Sequence, residues 1–285
     1  MKTINHLFLK FKQGYFYTKY LEFKVAKNFR SNFGDLNFKS VRTFVVFLGN
    51  SRSGTTLIRS IIDRHPEAII GHELGILKQL TMGRSWDFIF KLICLTSLNF
   101  NKLDSWQGRV YGFSETKNTN KNLKVLGNKK AYAFTKRLTE NKHYLSLLKS
   151  CPTQIKFIRC VRNPFDVISR RQLYNKKTIN ENISNYFDLE DNAEKLLLLF
   201  NNAPVIHLYL EEIIENPRAK IKQLFNFLDL ETDEQLISEF SESIDKKPLE
   251  RRKEIDWSKE QKEVVKKLSI KMPHLKSFYF KNGTN

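Results

Sequence analysis

Long uncharged apolar runs are absent from this 285-residue chain. A membrane-spanning helix needs about 20 consecutive apolar residues; the nearest stretch, 88–100, is short and carries Lys91. No transmembrane helix is expected. The N-terminal aromatic content is broken by Lys10, Lys12 and Lys19, so the compact apolar core of a secretory signal is missing as well. Cysteine is scarce, and Cys94, Cys151 and Cys160 show no CxxC pair or metal-finger spacing. That excludes a disulfide scaffold and favours a reducing compartment, the cytoplasm. Acidic residues are also in short supply: 30 Asp and Glu stand against 49 Lys and Arg, for a formal net charge of +19. Such an excess predicts attraction to phosphate-bearing ligands, polyanions or anionic membranes without choosing among them, and a lysine-rich composition can raise it with no function attached. No internal repeat is present.

What is there is foldable material. Hydrophobic residues make up 41% and aromatics 13%, far from the profile of a disordered chain. The length suits one sizeable α/β domain. Residues 1–42 stand apart, with nine basic and two acidic side chains interleaved with Phe8, Phe11, Tyr15, Phe16, Tyr17, Tyr20 and Phe23. This basic aromatic extension is expected to pack on the rest of the protein through its aromatic stripe or to lie on an anionic membrane. No recognised nucleic-acid-binding motif accompanies its charge, so specific nucleic-acid binding is not expected.

The main domain is expected over 43–285. Thr43–Leu48 is rich in β-branched and aromatic residues and runs into Gly49, which predicts a buried parallel strand feeding a tight loop. Thr55–Arg64 follows with Leu57, Ile58, Ile61 and Ile62 at helical spacing and stops before His65-Pro66. A second strand is predicted over Gln154–Val161, entering a helix with Asn163 as N-cap and Pro164 as first helical residue. A third spans Val205–Tyr209, ahead of a helix over Ala219–Leu228. Alternation of this kind predicts an α/β fold, P-loop-like, in three α/β/α layers with a mostly parallel central sheet. The stretch 84–150 is mixed and polar, with 117–122 an exposed loop, and suits an insertion that walls a substrate site.

The segment Gly49-Asn-Ser-Arg-Ser-Gly-Thr-Thr56 has the makings of an anion site. Its glycines let backbone N–H groups converge, the helix N-terminus adds partial positive charge, and Asn50, Ser51, Ser53, Thr55 and Thr56 add polar side chains. Arg52 adds a full charge. The spacing follows the nucleoside-triphosphate P-loop as far as Gly54, but Thr55 stands where that motif needs its lysine. With Arg two residues before the second glycine and Thr-Thr after it, the segment resembles the 5′-phosphosulfate-binding loop of sulfotransferases. Arg162-Asn-Pro-Phe-Asp-Val-Ile-Ser169 is similar to the 3′-phosphate motif of the same superfamily, in which Arg opens the motif and a hydroxyl residue closes it. Arg suits this role because its planar fork binds phosphate oxygens through paired hydrogen bonds. Here Arg170 stands where the closing Ser is found, and Ser169 comes one step earlier, about 100° around the helix. The resemblance covers roughly residues 43–280.

The resemblance implies 3′-phosphoadenosine-5′-phosphosulfate as co-substrate, metal-free, held by Asn50, Ser51, Arg52, Ser53, Gly54, Thr55, Thr56, Arg162 and Ser169 or Arg170. A late basic loop with Arg251 and Arg252, in the cluster that begins at Lys246 and Lys247, is expected to close over the nucleotide. An attacking hydroxyl must lose its proton to a base within hydrogen-bond reach. Residues 65–73 are similar to the His-Pro-Glu turn and Gly-Glu-Glu segment of tyrosylprotein sulfotransferases, which implies Glu73 as the base, with His72 the neighbouring alternative; capping of a following helix is the other reading of Glu73. Charge on the leaving oxygen calls for a cation, implying Arg52 first and Lys129 second, the latter in Val125-Leu-Gly-Asn-Lys-Lys130. The expected activity is sulfuryl transfer to a hydroxyl of a carbohydrate, lipid or peptide, with a small molecule or glycan as the expected partner and carbohydrate the acceptor guessed. A magnesium-dependent P-loop kinase and a non-enzymatic nucleic-acid-binding protein are the alternatives.

Overall fold

The computed structural model describes residues 19–101, 122–130, 132–244, 250–276 and 278. Among the described residues five strands form one sheet: β1 (Thr43–Leu48), β2 (Ala68–His72), β3 (Val125–Lys129), β4 (Gln154–Val161) and β5 (Val205–Tyr209). Their order is β2-β3-β1-β4-β5, and every pairing is parallel. The three strands expected from composition are present with the expected bounds. Side chains of β1 alternate between faces, as a strand requires. Val45 and Phe47 pack with Ile58, Ile61 and Ile62 of α2 (Thr55–Arg64) and with Ile221, Leu224 and Phe225 of α10 (Pro217–Phe227). Phe44, Val46 and Leu48 face the other way, onto Ile89, Phe90 and Ile93 of α4 (Trp86–Asn101) and Leu196 of α8 (Ile179–Leu199). The result is the three-layer α/β/α architecture. Helices α5 (Tyr132–Glu140) and α6 (Lys142–Lys149) lie in the chain between β3 and β4, and α9 (Leu210–Glu215) follows β5 directly.

Helix α10 starts at Pro217, two residues before the expected start, because proline is tolerated where the first helical N–H needs no partner. A larger departure concerns 84–150, which is no mere insertion: besides α4 it supplies β3, a strand in the interior of the sheet. Its composition hid it, since polar Asn128 and Lys129 are buried at its C-terminal end. Gly127 is needed there, for a Cβ would sit 2.7 Å from the Val45 side chain and 2.8 Å from its carbonyl oxygen. The loop expected around 117–122 lies, save residue 122, outside the described residues. The apolar stretch 88–100 is core helix, and among the described residues no helix is long and apolar enough to cross a membrane.

Residues 19–33 form helix α1. Its Phe29 and Phe33 rings stack at 5.1 Å, and Phe38 beyond the helix meets Phe29 at 5.6 Å and Phe90 of α4 at 5.4 Å. The aromatics that pack against α4 are thus Phe29, Phe33 and Phe38, which the expected stripe did not include, while Tyr20 and Phe23 of that stripe stay exposed. Phe8, Phe11, Tyr15, Phe16 and Tyr17 lie outside the described residues.

The topology decides where a ligand can sit. From β1 the chain turns to β2 on one side of the sheet; from β4 it turns to β5 on the other. Loops leaving β1 and β4 therefore diverge, opening a crevice at the strands' C-terminal ends, where ligands bind in open α/β sheets.

Candidate active site

The loop after β1 is set by close packing on β4. Leu48 pairs with Arg159, and a Cβ on Gly49 (φ 113°) would lie 2.3 Å from the Cys160 carbonyl oxygen, so only glycine fits. Gly54 (φ 84°) is the N-cap of α2, whose first turn holds no acidic residue, leaving the positive end of the helix directed at the loop. Arg52 is also left-handed, at φ 79°. Strain of this kind in a non-glycine residue costs about 1–3 kcal/mol and collects at functional sites. Asn50 and Ser53 are buried, Ser51 is exposed, and Thr55 is buried at the start of α2 with Thr56 half-buried beside it.

The second motif meets this loop. Asn163 caps α7 (Pro164–Gln172), its Oδ1 accepting the Phe165 N–H at 3.0 Å. Arg162, 7% exposed, donates to the Arg52 carbonyl oxygen at 3.1 Å across 110 residues of sequence. This bond ties the second motif to the backbone of the loop after β1. Asp166 on α7 accepts from the Arg252 backbone N–H at 2.9 Å and from its guanidinium at 2.7 Å. This pins the short 3₁₀ turn Arg251–Glu254 beside the motif, and Glu250 takes the other side of Arg252. Arg251 is engaged by Glu254 at 2.6 Å. Lys246 and Lys247 lie outside the described residues.

At the end of α7 three consecutive side chains take different partners. Ser169 is fully buried, its Oγ accepting the Trp257 indole N–H at 3.2 Å. Arg170 lies over the exposed Tyr174 ring at 4.1 Å, and Arg52 approaches the same ring at 5.6 Å. The residue that reaches the loop is Arg171, donating to Asn50 Oδ1 at 2.6 Å and Ser51 Oγ at 3.4 Å. Sequence inspection passes over Arg171 because which of three consecutive helical side chains faces a neighbour depends on how the helix docks. Tyr174 is missed for a similar reason: one exposed tyrosine carries no signal until two guanidinium groups are seen against it.

The candidate base lies on the same edge of the sheet. Strand β2 pairs His72 with Lys129 of β3, and the next residue, Glu73, turns left-handed at φ 54°. Its N–H donates to the Lys129 carbonyl oxygen at 2.9 Å; Lys129 Nζ donates to Glu73 Oε1 at 2.6 Å; Lys130 Nζ reaches the Glu73 carbonyl at 3.2 Å. Asn128 fixes the following residue by exchanging hydrogen bonds with the Leu74 backbone, 3.1 and 2.9 Å. Glu73 does not cap the next helix, α3 (Ile76–Thr81), whose N-cap is Gly75. Its side chain is 45% exposed while Lys129 is buried, so the carboxylate is open to solvent and paired to a buried cation. His72 stacks on Phe100, centroids 4.0 Å apart. Burial, and then the charges of Lys129 and Arg59, lower its pKa to about 3, which makes it a weak base at neutral pH.

Burial and then the Arg159 charge likewise hold His207 at about 4. Both imidazoles are depressed from 6.5, so below that pH the unfolded chain binds more protons than the folded one. Their contribution to stability is present above pH 6.5 and is lost as pH falls toward 4 and then 3. Asp166 and Glu211, raised chiefly by burial, act in the opposite sense and soften the decline. Thermal unfolding followed from pH 8 to pH 4.5 is expected to show a falling midpoint below pH 6.5, with a shallower fall in His207→Asn; an identical profile in that variant contradicts the assignment.

The model of the sulfotransferase family matches residues 44–234, two thirds of the chain, and takes in the loop after β1 and the start of α7. The protein belongs to the sulfotransferase family and is a sulfotransferase. Among its relatives, a putative protein-tyrosine sulfotransferase of Caenorhabditis briggsae is 24% identical over 204 residues, 68% of each chain. Protein-tyrosine sulfotransferase A of Caenorhabditis elegans is 22% identical over 217 residues, 71% of this chain and 54% of that protein. The sulfotransferase domain of the Synechococcus PCC 7002 olefin synthase has a similar fold, with a TM-score of 0.51 at 16% identity, covering 84% of this chain and 94% of that one.

Proposed function

We propose that this enzyme transfers a sulfuryl group from 3′-phosphoadenosine-5′-phosphosulfate to a hydroxyl acceptor. One observation carries the reading: two anion-binding segments 110 residues apart converge at the ends of adjacent strands, with Arg162 hydrogen-bonded to the Arg52 backbone. The residues fit an adenosine carrying phosphates at both ends. Loop 49–56 supplies backbone N–H groups, hydroxyls and Arg52 for the 5′ end; Arg162 and the start of α7 suit the 3′-phosphate, and the turn held by Arg252 flanks it. Bound there, the donor supplies an activated sulfuryl group and leaves as the 3′,5′-bisphosphate. Glu73 accepts the proton of the acceptor hydroxyl, and Lys129 holds that carboxylate in place. Arg52 offsets the negative charge that develops at the leaving oxygen.

The acceptor reading is a tyrosyl phenol. The names of the two nematode relatives favour it, and so does chemistry. A phenol with a pKa near 10 gives its proton to a carboxylate more readily than the aliphatic hydroxyl of a glycan does. Exposed Tyr20 and Phe23 beside Lys19, Lys24 and Lys27 support peripheral contact of α1 with anionic membrane, and the scarcity of cysteine supports a cytoplasmic setting.

The test is calorimetric binding of adenosine 3′,5′-bisphosphate beside ADP and ATP, with and without Mg²⁺. Transfer of radiolabelled sulfuryl to tyrosyl peptides, glycans and simple alcohols accompanies it. Magnesium-independent preference for the bisphosphate and labelling of the peptide are expected. Preference for ATP with Mg²⁺ overturns the donor reading; labelling of glycans alone overturns the acceptor reading.

A further inference from the structure

Helix α8 buries a carboxylate beneath the nucleotide loop. Its core-facing stripe includes Ile183, Tyr186, Phe187, Ala193 and Leu196, and in the same stripe stands Glu190, 3% exposed. A buried charge is tolerated only where it is paired and hydrogen-bonded. Oε2 of Glu190 accepts from the fully buried Arg159 at 2.7 Å and lies 3.0 Å from His274 Nε2. Oε1 accepts from Asn50 Nδ2 at 2.5 Å, and the same amide group reaches the Tyr186 carbonyl at 3.4 Å.

Neutralising Arg159 does not by itself account for this residue, because Glu194 already pairs with Arg159 at 2.5 Å and lies 3.2 Å from His274 Nδ1. What Glu190 alone provides is a carboxylate acceptor for Asn50. A carboxylate can only accept and a guanidinium can only donate. With Glu190 on one side and Arg171 on the other, the Asn50 amide has one orientation that satisfies both: NH₂ toward Glu190, carbonyl oxygen toward Arg171 at 2.6 Å. Arg171 is thereby held within 3.4 Å of Ser51 at the mouth of the loop.

We propose that Glu190 is a positioning residue for donor binding: acting through Asn50 it fixes Arg171 against loop 49–54 and holds that loop in the form that binds the 5′ end of the nucleotide. The proposal rests on the donor reading above. It predicts a loss confined to one end of the ligand, which a general loss of stability would not produce.

The experiment compares adenosine 3′,5′-bisphosphate with adenosine 3′-monophosphate, which lacks the 5′ group, by calorimetry on wild type, Glu190→Gln and Glu194→Gln. Losing a hydrogen bond to a charged group is worth about a tenfold or greater weakening. Glu190→Gln is expected to weaken the bisphosphate by about that factor while the monophosphate changes less than about twofold, and Glu194→Gln is expected to spare both. Should Glu190→Gln fail to fold, Glu190→Asp keeps the charge beside Arg159 but draws the carboxylate back from Asn50, and the same one-ended loss is expected. Equal losses for the two ligands, or no loss for either, overturn the proposal alone. Failure of the wild-type protein to bind the bisphosphate overturns the donor reading and this inference together.

Discussion

Glu73→Gln is expected to lower the rate of sulfuryl transfer about 10²–10⁴-fold, the usual contribution of a positioned general base, with bisphosphate affinity near that of wild type. The amide keeps the size and the carbonyl oxygen that Lys129 engages, but it cannot take up a proton. The surroundings of Glu73 support this proposed role. A left-handed turn, fixed by its own N–H on Lys129 and by the Asn128 bracket on Leu74, aims a half-exposed carboxylate from the C-terminal edge of β2. Single-turnover rates with saturating donor separate chemistry from binding. A Glu73→Gln enzyme with undiminished single-turnover rate removes Glu73 from the mechanism. His72 would not be a ready substitute, since its stacked and desolvated ring protonates only near pH 3.

Arg162→Ala is expected to weaken adenosine 3′,5′-bisphosphate by roughly 10²-fold, the equivalent of about 3 kcal/mol for a charge-assisted contact in a buried setting. ADP, which has no 3′-phosphate, is expected to lose much less. The remaining loss reports the bond from Arg162 to the Arg52 carbonyl, which ties the 3′ motif to the 5′ loop. Arg162→Lys is expected to recover only part of the affinity, because a point charge cannot reproduce the planar fork. Titration calorimetry with both nucleotides reads the difference, and equal losses for ADP and the bisphosphate move the 3′-phosphate away from Arg162.

Much of this site is legible in the amino-acid sequence. Loop 49–56 and the Arg162 motif announce themselves through local chemistry: a strand, a glycine or proline at the turn, a helix N-terminus and an adjacent cation. Each element lies within a few residues of the next, so spacing alone announces it. Strand β3 is less visible because its signal is short and ends in buried polar residues, and burial of Asn128 and Lys129 makes sense only once Glu73 and Leu74 are seen beside them. The choice among Ser169, Arg170 and Arg171 is harder still. Neighbouring helical residues point about 100° apart, and the docking of α7 against Trp257, Tyr174 and the loop distributes the three among different partners.

The sequence by itself determined the sulfotransferase class and the α/β alternation, and it singled out two strand–loop–helix motifs and the carboxylate proposed as the base, because these show in residue type, short-range spacing and motif resemblance. Tertiary structure alone decided that β1 and β4 are adjacent, that Lys129 backs Glu73, that Arg252 is pinned to Asp166, and that Glu190 stands beneath Asn50. Those pairings join residues tens to more than a hundred positions apart. Long-range partners are selected by the way whole helices and strands pack, and one chain read alone leaves no trace of that selection.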